Sequence, residues 1–276
     1  MSHLRYGSTN MILEAVMVAV TVVFMFPLYL LVVLSLKPQS EVASSPLSLP
    51  QGLYLSNYTQ AWASADLGAA LVSSTITTAT SAVFLVIFGS LAAYVLARRG
   101  TRLSYGMYIL FLLGIILPVQ TAIIPLYTLM KNANLLGTYT SVVIFYTGAL
   151  LPFTIFLYTG FLRALPRSYE EAALVDGASH WQAFRRVVFP LLRPVTGTVL
   201  ILNAITIWND FFTPLLFLSG TERETLPVAI FSFVGEYVSQ WGLVFAGLVI
   251  SIIPILIVYF MLQRYIIRGF ASGLKG

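Results

Sequence analysis

The sequence has no cysteine and little charge. Without cysteine, disulfides, thiolate nucleophiles and cysteine-ligated metals are excluded. Lysine is scarce: Lys37, Lys131 and Lys275 are the only three. None of them completes the G-x-x-x-x-G-K-[ST] pattern whose backbone amides cradle phosphates, so ATP hydrolysis by that route is excluded. Histidine occurs only as His3 and His180, far apart in sequence, and no metal constellation or catalytic triad is visible. Charged residues make up 9% of the 276 positions, against roughly 25% in an average soluble domain. Fifteen Lys and Arg with ten Asp and Glu are too few to clothe a soluble protein of this length.

What is abundant is apolar: 58% of residues, with a mean hydropathy of +0.89. Lipid as the solvent for most of the surface reconciles these figures. The net charge is +5. The basic residues sit at the ends of apolar runs, a membrane-surface pattern rather than a nucleic-acid-binding face.

A span needs about 20 mostly apolar residues. Six stretches qualify: 11–36, 67–96, 103–130, 138–162, 194–218 and 241–262. The runs are continuous and about twice the length of an alternating barrel strand, so they predict helices, which alone satisfy such a backbone in hydrocarbon. The first run is longer than the 7–15 residues of a signal h-region and reads as a retained helix. The expected fold class is therefore all-α, a polytopic membrane protein with six transmembrane helices. With the N-terminus inside, Arg5, Arg98, Arg99, Arg102, Arg163, Arg167, Arg185, Arg186, Arg193, Arg264, Arg268 and Lys275 fall on the inner side. Only Lys37, Lys131 and Arg223 fall outside, which puts both termini in the cytoplasm. Pro27, Pro118, Pro125, Pro152, Pro214 and Pro254 lie within the runs and read either as hinges or as ordinary membrane-helix prolines. Ser73, Ser74, Thr75, Thr77, Thr78, Thr80 and Ser81 predict close helix packing.

The most informative polar segment is loop 165–190, LPRSYEEAALVDGASHWQAFRRVVFP. Ser168 with Glu171 predicts one capping box, and Ser179 with Gln182 a second. Gly177 suits the left-handed end of the first short helix. Trp181, Phe184, Val187 and Val188 would line one side of the second, with Pro190 as its stop. The apolar face of such a loop suits either a groove on a soluble partner or the lipid headgroup layer.

Asp210 is the one mid-span aspartate, and a charge there is costly. Asn203, Thr206 and Asp210 fall at i, i+3 and i+7, along one predicted helix face, with Trp208 and Asn209 beside them. These five residues form a candidate polar stripe on a translocation path. The alternative is a structural cap or interhelical bond that fixes a kink near Pro214.

The order Glu171-Ala172-Ala173, three residues, Gly177, nine residues, Val187-x-Phe189-Pro190 resembles the EAA loop of the membrane subunits of bacterial ABC importers. Val187 and Phe189 replace the more usual Ile and Leu. LPRSYEEAALVDGAS, IWNDFFTPLLFL and the closing QRYIIRGFASGLKG are similar to the carbohydrate-uptake branch, and in particular to the smaller permease of maltose-type importers. With span order and length, the resemblance covers nearly the whole chain.

The resemblance implies a permease subunit that forms half of a path for a sugar or oligosaccharide in the bacterial inner membrane. It implies ATPase-coupling roles for Glu171, Ala172, Ala173, Asp176, Gly177 and Pro190. The implied partners are a second permease, two ATP-binding subunits that hold ATP and Mg, and an extracytoplasmic solute-binding protein. No cofactor is expected on this chain and no nucleic-acid partner. Residues 1–66 would comprise the N-terminal tail, first span and external loop; 67–266 the transmembrane core with loop 165–190; and 267–276 the cytoplasmic tail. A rival reading is an ion-coupled secondary transporter. Such a protein should carry several intramembrane ionisable residues and discontinuous helices in repeated halves, and neither is evident. A non-transporting membrane scaffold is the third class.

Overall fold

In the computed structural model, residues 8–234 and 240–273 are described. Arg5, Glu236, Tyr237 and Lys275 lie outside them, as do the side chains of Arg264 and Arg268. Among the described residues every regular element is helical. In chain order these are α1 (Ser8–Ser35), α2 (Gln39–Ser44), α3 (Ser56–Ser64), α4 (Leu67–Arg98), α5 (Arg102–Ile116) and, after a 3₁₀ turn at Val119–Ala122, α6 (Ile123–Asn132). There follow α7 (Tyr139–Ala164), α8 (Ser168–Val175), α9 (His180–Leu191), α10 (Arg193–Asn209), α11 (Phe212–Leu218), α12 (Leu226–Phe231) and α13 (Trp241–Gly273). Among the described residues, α1, α4, α7 and α13 are long and apolar enough to cross a membrane alone, and the total is up to six if each of two sharply bent pairs, Arg102–Ile116 with Val119–Asn132 and His180–Leu191 with Arg193–Asn209, counts as one span.

The third predicted span is not one rod. Its two arms, Arg102–Ile116 and Val119–Asn132, meet at 89°. Pro118 causes the break: it excludes its predecessor from helical geometry, and Leu117 is extended at φ −71°, ψ 124°. The fifth span is also interrupted, between α10 and α11 at Asp210 and Phe211. Pro27, Pro152 and Pro254 sit inside continuous helices.

The chain divides into two compact units, Met1–Leu67 with Ala229–Ile252 and Gly68–Val228 with Ile253–Gly276. In the first, the Lys37 ammonium is buried and donates to the Ser45 carbonyl at 2.6 Å and to Ser48 Oγ at 3.1 Å. The Asn57 amide ties down the end of α1 by donating to the carbonyls of Ser35 and Lys37 at 2.9 and 2.8 Å. Most of α1 presents apolar side chains outward, Val18 and Phe24 among them, as a lipid-facing helix does.

In the second unit the hydroxyl-rich stretch of α4 packs as its pattern predicts. Ser73, Ser74, Thr77, Thr78 and Ser81 are buried, while Thr75 is exposed. Ser73 Oγ pairs with Tyr139 Oη at 3.0 Å, and Ser74 Oγ accepts from the Leu226 amide at 2.8 Å. Gly89 lets α7 approach closely, since a Cβ there would collide with the Thr154 methyl. Two apolar clusters hold this unit together. One, around Ile155, Tyr158, Leu162, Phe184, Val188 and Leu192, lies beneath loop 165–190. The other, around Leu85, Val142, Phe145, Tyr146, Ile207 and Phe217, lies beside the break at Asp210.

Candidate functional site

Loop 165–190 folds as two short helices, as its sequence predicts, but the first begins differently. The residue before α8 is Arg167, itself helical at φ −67°, ψ −23°, and no side chain caps the helix. Ser168 is already inside the helix, so the predicted Ser168–Glu171 capping box does not form. Such a box needs a cap residue in extended geometry. Pro166 keeps Leu165 extended at φ −79°, ψ 123°, and the turn then starts one residue too early for Ser168. Instead the Glu170 and Glu171 amides donate to the Arg167 carbonyl at 2.9 and 3.0 Å.

The other end of α8 matches expectation. Gly177 has φ +83°. The Ala178 amide donates to the Ala173 carbonyl and the Gly177 amide to the Leu174 carbonyl, each at 3.0 Å, which is the Schellman pattern. No atom lies within 4 Å of where a Cβ would stand, so a side chain here costs only backbone strain. Gly177→Ala is expected to destabilise this turn by about 1–2 kcal/mol, read as faster proteolysis or hydrogen exchange confined to loop 165–190.

The second predicted capping box forms in full. Ser179 Oγ accepts from the Gln182 amide at 3.2 Å, and Gln182 Oε1 accepts from the Ser179 amide at 2.8 Å. Pro190, however, does not stop α9. Phe184–Val188 widens into a π-helical turn, in which the Phe189 amide donates to the Phe184 carbonyl. The wider turn accommodates a proline ring that would clash with a normal α-helical carbonyl. The helix runs on to Leu191 and then bends by 71° into α10. Phe184 and Val188 are buried, Val187 half-buried and Trp181 exposed, so the predicted apolar side turns inward except at its tip. The Phe184 ring lies 4.9 Å from that of Tyr94 and 5.8 Å from that of Trp181.

On α8 the inward face carries Glu170, Ala173 and Leu174, at i, i+3 and i+4. The outward face carries Tyr169, Glu171, Ala172, Val175 and Asp176. Of the residues singled out from sequence, Glu171, Ala172, Asp176 and Gly177 are thus exposed, while Ala173 and Pro190 are half-buried. Glu170 was missed. Its carboxylate accepts from Arg98 Nε at 2.6 Å and from Tyr94 Oη at 3.1 Å. The spacing to Ala173 and Leu174 was the available signal, because it places Glu170 on the apolar side of α8.

The polar residues of α10 separate. Asn203 is buried and donates to Thr154 Oγ1 at 3.0 Å. Trp208 is buried beside an apolar cavity of about 270 Å³ that Ala79, Leu200 and Ile255 also line. Thr206, Asn209 and Asp210 instead line an open cavity of about 440 Å³, with Gln120, Phe145 and Tyr146 opposite. The predicted single stripe is split because positions i, i+3 and i+7 span an arc of about 60°. One edge of that arc packs against α7 and the other opens. Thr206 and Asn209 turn their donors back to the carbonyls of Leu202 and Ile205, both at 2.9 Å.

Asp210 itself lies just beyond α10, in extended geometry at φ −72°, ψ 124°. Its Oδ1 accepts from the Phe212 amide at 3.0 Å and the Thr213 amide at 3.5 Å, while its Oδ2 accepts from Tyr146 Oη at 3.0 Å. It therefore caps α11 and pins the break to α7. Among the described residues, no three His, Asp or Glu side chains are placed to hold a metal ion.

Residues 85–272 match the family described as "Binding-protein-dependent transport system inner membrane component". The chain belongs to this family. It is 38% identical over 248 residues to the melibiose/raffinose/stachyose import permease protein MelC of Bacillus subtilis, covering 90% of both chains. It is 35% identical over 256 residues to the probable starch degradation products transport system permease protein AmyC of Thermoanaerobacterium thermosulfurigenes, covering 93% of both. Its fold matches a chain of a bacterial ABC transporter involved in the import of alginate, with a TM-score of 0.81, 24% identity, and coverage of 95% of this chain and 99% of the other. The chain is thus a multi-pass inner-membrane permease subunit of an ABC importer. It is not itself an enzyme, and it works with a separate ATPase and a substrate-binding protein. The ion-coupled reading finds no support.

Proposed function

We propose that this chain forms half of a translocation path for a sugar or oligosaccharide and draws its energy through the outward face of α8. The carrying observation is the construction of loop 165–190. Two short helices are joined by a left-handed glycine, with Glu171, Ala172 and Asp176 outward and Phe184 and Val188 sunk into the helix bundle of the same unit. An apolar-edged helix presented on a rigid anchor suits a groove of a soluble partner. The permease relatives named for melibiose, raffinose, stachyose and starch products support the substrate class.

In this reading the chain pairs with a second, different permease. Two ATP-binding subunits, holding ATP and Mg, grip one coupling loop each, and a binding protein delivers the sugar from outside. Both termini lie in the cytoplasm. The unequal placing of Lys and Arg supports that orientation. So does the gathering of three arginines at the loop end of α4 and α7: Arg98 donates to the carbonyls of Leu162 and Leu165, Arg163 lies over the Tyr108 ring and Arg167 donates to the Arg98 carbonyl. Arg223 donates to the Gly137 carbonyl at the opposite end of α7. The 440 Å³ cavity is the segment of the path that this chain contributes. Thr206, Asn209, Tyr146 and Gln120 present polar groups suited to sugar hydroxyls. Asn203 and Trp208 support its wall from behind.

The test is a cysteine at position 172 in the complex assembled with its operon-encoded partners. The expected result is a cross-link from Ala172→Cys to the ATPase subunit, together with ATP turnover that rises when sugar-loaded binding protein is added. A cross-link only to lipid-phase probes, with unchanged turnover, rejects the reading.

A further inference from the structure

We propose that Arg98, Glu170 and Tyr94 form the positioning link that carries motion of the coupling loop into α4, a proposal that rests on the docking role of α8 argued above. Arg98 is the last residue of α4. Its guanidinium reaches three groups at once: Nε donates to Glu170 Oε1 at 2.6 Å, Nη1 to the Leu162 carbonyl at 2.8 Å and Nη2 to the Leu165 carbonyl at 3.2 Å. Carbonyls at the C-terminal end of α7, that of Leu162 inside the last turn and that of Leu165 just beyond it, and the first turn of α8 thus share one cation. One turn earlier on α4, Tyr94 donates to Glu170 Oε2 at 3.1 Å and packs its ring, tilted, against Phe184 of α9. Both carboxylate oxygens are engaged. The Arg98 and Glu170 side chains are each only 11% exposed.

Glu170 lies 72 positions from Arg98 along the chain, so this link joins α4 to the loop by a route that the backbone does not supply. The backbone's own route runs from α9 through the π turn and the 71° bend into α10. A push on the outward face of α8 therefore reaches α10 through a bent joint and α7 through the short backbone link 165–167, whereas it reaches α4 through the Glu170 carboxylate. Opening a nearly buried ion pair strands a charge away from water, which is costly. The contact therefore stays shut while the loop moves, and α4 follows. Arg suits this task because its fork serves a carboxylate and two carbonyls in one plane, as a lysine cannot.

The experiment uses the complete importer in lipid vesicles, with ATP turnover measured with and without sugar-loaded binding protein, sugar uptake, and the 172 cross-link read in parallel. Glu170→Gln keeps the shape and removes the charge. The expected result is normal assembly and a normal cross-link. Stimulated turnover and uptake both fall about tenfold, within the usual range of coupling between sites. Glu170→Asp, which keeps the carboxylate, retains a large part of both. Wild-type stimulation and uptake in Glu170→Gln would overturn the link while leaving α8 docking intact. So would a loss of assembly in Glu170→Gln, because that marks a brace only. Absence of the cross-link in the parent complex removes the docking role, and this proposal with it.

Discussion

Ala172→Arg is expected to abolish sugar-dependent ATP turnover and uptake while leaving the chain folded and inserted. Ala172 lies on the outward face of α8. Its replacement by a good helix former leaves the local structure unharmed. In the proposed docking the same position meets the ATPase. There a long cation must either be desolvated or hold the helix off its seat. Disrupting the centre of such an interface costs about 2–4 kcal/mol, or roughly a 30- to 1,000-fold loss of productive docking. Gel filtration of the assembled complex and turnover in vesicles measure the two halves of the expectation. Full turnover in this variant would show that α8 is not the gripped element.

Asp210→Ala is expected to destabilise the chain by about 2–4 kcal/mol, because three donors lose one acceptor together. The bond from Tyr146 and the two amide bonds at the start of α11 all end on this carboxylate. A hydrogen bond to a charged group contributes about 1.5–3 kcal/mol, and a helix cap about 1. Asp210→Asn keeps an acceptor for the cap and a partner for Tyr146 Oη, so it should retain most of the stability and transport. Tyr146→Phe should fall between the two. Thermal unfolding of the detergent-solubilised chain orders the three variants. If Asp210→Ala unfolds like the parent but fails in uptake, the residue acts on substrate rather than on the fold.

Asp210 also shows where reading along the chain stops. A lone acid inside an apolar run signals a special role, and its cost in hydrocarbon says that it must have partners. The partners, Tyr146 from α7 and amides beyond a break in the helix, lie beyond the reach of any local pattern. The same holds for Glu170. Its place on the inner face of α8 follows from Ala173 and Leu174 one turn on, but the choice of Arg98 required α4 and α7 to end side by side. Gly177 and the Ser179–Gln182 box were readable in place because every group they use lies within six residues.

The sequence by itself determined that the chain is a helical membrane protein, where most of its helices run, and that loop 165–190 is two short helices joined at Gly177 rather than a tether. These follow from backbone hydrogen bonding in hydrocarbon and from bonds between near neighbours, which depend on local composition alone. Tertiary structure decided the partners that hold the interruption at Asp210. It also decided the separation of Asn203 and Trp208 from the cavity that Thr206, Asn209 and Asp210 line, and the choice of Arg98 as the partner of Glu170. Each of these depends on which helix lies alongside. A polar or kinked residue is stabilised or exposed only by what packs against it, and neighbours far apart in sequence are set by the whole arrangement.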